Sequence, residues 1–318
     1  MAETPTITRL SAPKPKAKKV KKPDPKHGPV SLKLESEAHE PIPTAPKLLL
    51  RTLRLIRDNW KIMLGLALIY LVLNLLLVQG LSAASNLETA KSSLDAFGQG
   101  AANNVANGIT LYTSLIGASG TNIAPTAGAY QFLLALIMTL AIIWSLRQIY
   151  AKRVINSIKD AFYYGMYPLI PFFFVLLVVL MHLLPFALGA VLYGIVMANG
   201  IATTFIEQSL FLLVFLGLGF LSLYLLCSSA FALYIVTLPE MTPMGALRSA
   251  RDLVAYRRWS IMRKVIFLPF VLLVIGAIIM VPFILFATIA APWIFAALVT
   301  LLIVVAHSYM YTLYRALL

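Results

Sequence analysis

Four polar side chains within long apolar stretches are the first candidates for chemistry in this chain. Asn74, His182, Ser228 and His307 each interrupt such a stretch. Imidazoles titrate near physiological pH, so His182 and His307 are candidates for a proton relay. The same four side chains can also form hydrogen bonds between membrane helices, and their small number and wide spacing favour this second interpretation. Two histidines without a third ligand predict no metal site.

The twelve acidic residues add a constraint, because none of them falls in the middle of an apolar stretch. Ion-coupled transporters commonly keep a buried carboxylate, since an ionisable group inside the membrane is costly unless function requires it. A carboxylate-driven antiporter or pump is therefore disfavoured. The sequence also contains no nucleophile elbow, no phosphate-binding glycine loop and no His-Glu-x-x-His helix. We therefore predict a non-enzymatic protein without a cofactor.

The stretch from Thr242 to Trp259 is the most motif-like segment and the main candidate for binding. Thr242 is suited to cap a helix that starts at Pro243, and Arg248 precedes Asp252 at the spacing of a helical ion pair. The pattern predicts an amphipathic helix on the membrane surface, with its arginines against lipid phosphates. A docking surface for a cytoplasmic or membrane protein partner is the alternative. The candidate interface residues are Arg248, Arg251, Arg257, Arg258 and Trp259.

These residues must be positioned by membrane-spanning helices, because the composition is that of an integral membrane protein. Sixty per cent of the residues are hydrophobic, only 12% are charged, and the mean hydropathy is +0.86. About 20 apolar residues cross the hydrocarbon core, and a spanning backbone must satisfy its own hydrogen bonds, so every span should be α-helical. We predict six spans, at about residues 62–81, 130–149, 168–188, 209–236, 266–288 and 292–314.

The distribution of cations predicts the orientation of these spans. Of the 26 lysines and arginines, only Lys91 falls in a segment that six spans would leave outside the membrane. Because cationic loops resist translocation, we predict a bacterial-type plasma-membrane protein with both chain ends in the cytoplasm. The net charge of +14 lies mostly on a tail and on helices beside the membrane. It therefore indicates anionic lipid headgroups as partners rather than nucleic acid.

The chain is predicted to contain a tail and one membrane domain. Residues 1–43 are rich in Lys and Pro and are expected to be disordered, since they cannot bury enough surface to offset their ordering entropy. Residues 44–318 form the predicted six-helix domain, built as three tandem hairpins. Its largest outside loop is expected at 82–129, and cytoplasmic amphipathic helices are expected at 150–167 and 238–265.

The segment that begins at Pro239-Glu240 resembles a known family signature. The run from Ala246 to Ser249 follows on a predicted helix, and a basic-aromatic run from Arg257 to Trp259 comes next. This order is similar to that of the multi-span family named for its occurrence as the membrane domain of some glycerophosphodiester phosphodiesterases. The resemblance implies a six-span fold and a membrane location. It implies no hydrolase activity, because the sequence contains no phosphodiesterase catalytic domain.

A second resemblance starts at Arg258-Trp259 and is to the coupling helix of ABC-transporter permeases, which docks on a separate ATPase. Arg263-Lys264-Val265 and Leu268-Pro269 follow, although the preceding Glu-Ala-Ala and the glycine of that pattern are missing. In a transporter, the proline-bearing third and fifth spans would move, and the four intramembrane polar residues would line the axis. We predict a non-enzymatic scaffold for membrane-protein or lipid handling at the envelope. The alternative is a transporter or ABC-type permease subunit.

Overall fold

The fold is described from a computed structural model of the chain. The described residues are 43–78, 125–153, 155, 157–287 and 290–318. Residues 1–42 of the predicted disordered tail and residues 82–124 of the predicted outside loop lie outside these ranges. The described part contains all the residues singled out above for chemistry or binding.

All regular secondary structure in the described ranges is helical, as predicted. Helices suit a membrane because each one satisfies its backbone hydrogen bonds within its own segment. The helices are α1 Ala45–Asp58, α2 Trp60–Leu77, α3 Pro125–Tyr150, α4 Ile158–Gly165, α5 Leu169–Met181, α6 Leu184–Ala198, α7 Phe205–Ser229, α8 Ala232–Ile235, α9 Pro243–Val254, α10 Arg258–Phe286 and α11 Ala291–Leu317.

Six helical segments of the described chain are long and apolar enough to cross a membrane. The chain is therefore an all-α polytopic membrane protein, and the prediction of six spans is confirmed. The third segment combines α5 with α6, and the fourth combines α7 with α8. The segments are Trp60–Leu77, Gly128–Tyr150, Leu169–Ala198, Phe205–Ile235, Arg258–Ile284 and Trp293–Leu317.

Consecutive spans pack against each other as three hairpins. The first hairpin is α2 on α3, the second is α6 on α7, and the third is α10 on α11. α11 also contacts α2 and α3, so it joins the first hairpin to the third. Tyr309 of α11 is fully buried, and its hydroxyl donates to the Lys264 carbonyl of α10 at 3.2 Å. Apolar side chains of α2, α3 and α11 contribute to the main core.

α1 is an amphipathic helix that packs on the last span. Leu48 and Thr52 lie one turn apart and are fully buried, and the Thr52 hydroxyl donates back to the Leu48 carbonyl at 2.9 Å. Arg51 and Arg54 are exposed. Because α1 contacts α11, the first and last helices of the described chain are neighbours in space.

The prolines of the spans do not all interrupt a helix. α10 is continuous although Pro269 and Pro282 lie inside it. The third span is interrupted between α5 and α6, just before Pro185. It then continues beyond the predicted end at residue 188 to Ala198, and α6 packs on α7. Pro185 occupies the first turn of α6, where its missing N–H leaves no helical bond unmade.

The amphipathic helix predicted over 238–265 is divided in the structure. α9 ends at Val254, residues 255–257 form a turn, and α10 begins at Arg258. Arg258 and Trp259 therefore belong to the first turn of the fifth span. The physical reason is the apolar run that follows them, which continues one helix through the whole span.

Candidate binding sites at the basic end of the bundle

One end of the bundle carries two candidate sites, and we call it the basic end. It comprises the last turns of α3, the helix α4, the first turn of α5, residues 236–242 and α9. The first four of these line a common cavity, and α9 follows directly and packs on α5. Arg147, Arg248 and Arg251 all lie at this end.

α9 rests on the bundle with its small residues inward. Ala246, Ala250 and Val254 follow one another at intervals of one turn and are fully buried, and the helix contacts α5, α7 and α8. Arg248 and Arg251 are exposed. Small side chains let the helix approach the bundle closely, so the arginines stand on its outer surface.

The start of α9 is fixed by Thr242. Its hydroxyl accepts a hydrogen bond from the Gly245 N–H at 3.2 Å, and Pro243 occupies the first turn. A cap of this kind typically stabilises a helix by about 1 kcal/mol. A Cβ at Gly245 would stand 2.9 Å from the Thr242 hydroxyl, so the glycine leaves room for the cap.

The charged side chains of α9 do not pair with each other. Among the residues that the structure describes, one ion pair within 4.0 Å is present, between Arg57 and Asp58 at 3.8 Å. Arg248 and Asp252, whose spacing is that of a helical pair, do not form a second one. Both side chains are exposed, where an ion pair contributes little to stability. Arg248 is therefore free to bind an external anion.

The basic-aromatic run is divided between the surface and the fourth span. Arg258 is half-buried: its guanidinium donates to the Tyr224 hydroxyl of α7, and its central carbon lies 4.9 Å from the Tyr224 ring centroid. Trp259 is 62% exposed, and its ring centroid lies 6.4 Å from that of Phe220. Arg257 is half-buried. Arg258 thus attaches the fifth span to the fourth, and Arg248 and Arg251 are the exposed arginines of the predicted set.

His182 lies at the interruption between α5 and α6. Its Nδ1 atom is 3.0 Å from the Ser229 hydroxyl, and the Ser222 hydroxyl donates to the His182 carbonyl at 2.7 Å. Both serines belong to α7, which ends at Ser229 just before α8. The hydroxyl of Ser222 satisfies a carbonyl that the helix interruption leaves without its usual partner.

His307 connects three helices through the two nitrogens of its ring. Its Nε2 atom lies 3.1 Å from the Thr139 hydroxyl of α3, and its Nδ1 atom lies 3.4 Å from the Tyr234 hydroxyl of α8. These are the interhelical hydrogen bonds that the sequence favoured for this residue. They occupy both ring nitrogens with neutral side chains.

The four predicted intramembrane polar residues do not form one cluster. Ser228 donates to the Leu225 carbonyl of its own helix at 2.8 Å, and Asn74 interacts with Tyr70 one turn earlier. No hydrogen bond joins any two of Asn74, His182, Ser228 and His307. Within the described ranges, no three His, Cys, Asp or Glu side chains lie close enough together to hold a metal ion.

Arg147 is a candidate binding residue that the sequence reasoning missed. It is half-buried near the end of α3, and its guanidinium donates to the hydroxyl of Thr237, which in turn donates to the Tyr234 carbonyl at 2.8 Å. It also interacts electrostatically with Tyr311 and Tyr314. No carboxylate of the described residues lies within 4 Å of it. Arg147 is therefore held by neutral hydroxyl groups rather than by an ion pair.

A cavity of about 830 Å³ opens beside Arg147. One wall is aromatic, because Trp144 stacks on Tyr164 with their ring centroids 5.9 Å apart and an angle of 18° between the rings. Glu240 lies on the lining segment 236–241 with a φ of +60°, a left-handed conformation that is strained for a residue with a side chain. The lining includes Trp144, Arg147, Tyr164, Tyr167, Thr237 and Glu240.

The sequence carried one signal for this cavity. Trp144 and Arg147 are three residues apart near the end of the second span, and three tyrosines follow at 163, 164 and 167. An arginine beside aromatic residues at the end of a span is typical of the membrane interface. What the spacing did not reveal is that residues 236–241 close over the same place.

No protein-family model, no curated protein and no solved structure matches this chain. Its function is therefore inferred from the geometry of the basic end and from the polar contacts within the bundle.

Proposed function

We propose that this chain is a non-enzymatic membrane scaffold whose basic end holds anionic phospholipid on the cytoplasmic face of a plasma membrane. α9 supplies the contact surface, and the six spans fix its position at the bilayer. Such a scaffold supports the handling of lipids or membrane proteins at the envelope without itself reacting with them.

The arrangement of α9 is the observation that supports this proposal. Its small-residue face is buried in the bundle, whereas Arg248 and Arg251 are exposed, with no carboxylate of the described residues within 4 Å. Met244 and Tyr256, near the two ends of the helix, are also exposed. Exposed arginines flanked by apolar side chains suit a helix that lies at the level of the lipid headgroups.

The proposed orientation depends on the sequence. All but one of the 26 lysines and arginines belong to segments on the same side of six spans, which is the side that the cytoplasm occupies in most membrane proteins. The cytoplasmic leaflet is rich in anionic lipid, and each nearby cation gains about 1 kcal/mol from it. Membership of the family with the Pro239-Glu240 signature stays a prediction and adds no activity to the proposal.

The test is the amount of phosphatidylglycerol that the full chain retains. The protein is purified in a mild detergent from liposomes of defined composition, and the bound lipid is measured by mass spectrometry. Replacing Arg248, Arg251 and Arg257 with Gln should weaken the retention by up to about 3 kcal/mol, since each cation contributes at most about 1 kcal/mol.

A charge-preserving variant is the matched control. Replacing the same three arginines with Lys keeps the charge of α9 and should preserve most of the retention. Equal retention by the Gln and Lys variants would contradict the proposal. A soluble protein that co-purifies in place of lipid and leaves with the Gln variant would identify α9 as a protein-docking surface instead.

A transporter is the second candidate, and one observation favours it. The third and fourth spans are both interrupted, and the contact between His182 and Ser229 links the two interruptions. Discontinuous spans of this kind form the substrate sites of many transporters. In an ABC-type complex, the start of α10 would dock on a separate ATPase.

The transporter alternative predicts different results for the same protein. His182→Leu would abolish a substrate flux into proteoliposomes while leaving expression and reconstitution intact, and an ATPase would co-purify with the unaltered chain. Co-purification of lipid alone, without an ATPase, would count against the ABC form of the alternative.

A further inference from the structure

The Arg147 cavity is a site distinct from the arginines of α9, and no carboxylate of the described residues lies within 4 Å of its guanidinium. The guanidinium donates to the hydroxyl of Thr237 and also interacts with the Tyr311 side chain, and neither group carries a charge. A half-buried charge without an opposite charge is costly to keep. An anion that enters the cavity would form charge-assisted hydrogen bonds with the guanidinium, and these are about twice as strong as bonds between neutral groups.

The position of the cavity indicates which anion it meets. Its walls are the last turns of α3 and the first turn of α5, so it lies where two spans end. Lipid phosphates occupy that depth of the membrane. A guanidinium presents a planar pair of donors that matches two phosphate oxygens, which a point charge does not. A volume of about 830 Å³ is within the range of small-molecule sites and leaves room for a headgroup.

Other residues of the same lining are suited to a cation. Glu240 is exposed on the lining and forms no ion pair within 4 Å among the described residues. The stacked rings of Trp144 and Tyr164 stand on the same lining, and aromatic faces attract an ammonium group. The lining of one cavity therefore contains a cation, a carboxylate and a pair of stacked aromatic rings.

We propose that this cavity binds the headgroup of phosphatidylethanolamine, with the phosphate on Arg147 and the primary ammonium on Glu240. The ammonium of this lipid has three N–H donors for the carboxylate. Phosphatidylcholine has the same phosphate, but its methyl groups replace the donors. Phosphatidylglycerol lacks the positive charge altogether.

The test is a titration of the delipidated full chain in detergent with these three lipids, all with the same acyl chains. Native mass spectrometry counts the bound lipid at each concentration. We expect phosphatidylethanolamine to bind about tenfold more tightly than phosphatidylcholine, since hydrogen bonds to charged groups contribute about 1.5–3 kcal/mol. Glycerophosphoethanolamine, the same headgroup without acyl chains, is titrated in parallel to separate a membrane lipid from a soluble phosphodiester.

Three variants test which residue binds the phosphate and which binds the ammonium of the headgroup. Arg147→Gln should weaken phosphatidylethanolamine binding about tenfold. Glu240→Gln should reduce the affinity for phosphatidylethanolamine to that for phosphatidylcholine. Arg315→Gln is the matched control, because Arg315 is an exposed cation over the Tyr150 ring and does not line the cavity. It should leave both affinities unchanged.

Four outcomes would overturn the proposal. They are unchanged binding by a folded Arg147→Gln variant, preference for phosphatidylglycerol in the chain whose Arg248, Arg251 and Arg257 are replaced with Gln, an equal loss in Arg315→Gln, and binding of glycerophosphoethanolamine as tight as that of the lipid. Should Arg147→Gln fail to fold, Arg147→Lys replaces it, since it keeps the charge and loses the paired donors. The Gln variant of α9 should bind phosphatidylethanolamine normally, so this proposal and the proposed function can fail separately.

Discussion

The His182 imidazole and the Ser229 hydroxyl lie 3.0 Å apart and join the interruption of the third span to that of the fourth. A helix break inside a membrane leaves backbone groups without partners, which lipid cannot supply. When two breaks lie side by side, polar side chains of one span can form hydrogen bonds with the unpaired backbone groups of the other. Ser222, which bonds the His182 carbonyl at 2.7 Å, completes this arrangement.

A double-mutant cycle measures the strength of that contact. We expect His182→Leu and Ser229→Ala to be less than additive, with a coupling energy of about 0.6 kcal/mol and at most about 1.7 kcal/mol, as for other polar contacts between membrane helices. The free energy of unfolding is measured by denaturant titration in mixed micelles. Strict additivity would show that the two side chains do not interact in the folded protein.

The contact between Thr139 and His307 has a matched control elsewhere in the bundle. Thr139→Val removes an interhelical bond, whereas Thr300→Val removes only a bond to the Ala296 carbonyl of the same helix at 2.9 Å. We expect the first change to cost about 0.6 kcal/mol more than the second. Equal losses of unfolding free energy would mean that the His307 contact contributes nothing specific.

The left-handed backbone of Glu240 predicts a stabilising substitution. At a φ of +60°, a side chain costs roughly 1 kcal/mol that glycine avoids. Glu240→Gly should therefore be more stable than Glu240→Ala by about that amount, as measured by thermal unfolding of the full chain. Lys152, with a φ of +54°, offers an independent repeat of the comparison. A glycine variant no more stable than the alanine variant would argue against this backbone conformation.

Gly165 brings α4 against α3 at the wall of the cavity. A Cβ there would lie 3.2 Å from the Ala141 Cα and from the Leu140 carbonyl oxygen, both parts of the backbone. Gly165→Ala should therefore destabilise the protein by about 1–3 kcal/mol. In Gly194→Ala the new methyl group meets nothing within 4 Å, so this change should be close to neutral. The comparison is made by denaturant unfolding, and equal effects would refute the close packing of α3 and α4.

The spans and the start of α9 were predictable because local patterns determine them. Apolar stretches of sufficient length predicted six spans, and Thr242 with Pro243 predicted the capped helix start that the structure contains. The hydrogen-bond partners of the intramembrane polar residues were harder to predict from the sequence. The partner of His182 is Ser229, whereas the neighbouring Ser228 bonds its own helix. One residue rotates a side chain by about 100° around a helix, and a span that is apolar on all sides carries no pattern to fix that rotation.

The Arg147 cavity was beyond sequence reasoning for a related reason. Trp144 and Arg147 are near neighbours on one helix, but Thr237 and Glu240 come from a distant segment that short-range spacing cannot relate to them. In the sequence, the Pro239-Glu240 pair stands out only as part of a family resemblance. Its strained backbone and its position on a cavity became visible only in three dimensions.

The contact between α1 and α11 has a consequence for biosynthesis. Leu48 and Thr52 are among the first residues of the described chain to leave the ribosome, and the helix on which they are buried is the last. Until residues 291–317 have been translated, the helix on which α1 packs in the finished protein does not exist. Docking of α1 is therefore a late step, and a nascent chain that stops before the sixth span would leave α1 without the helix on which it packs.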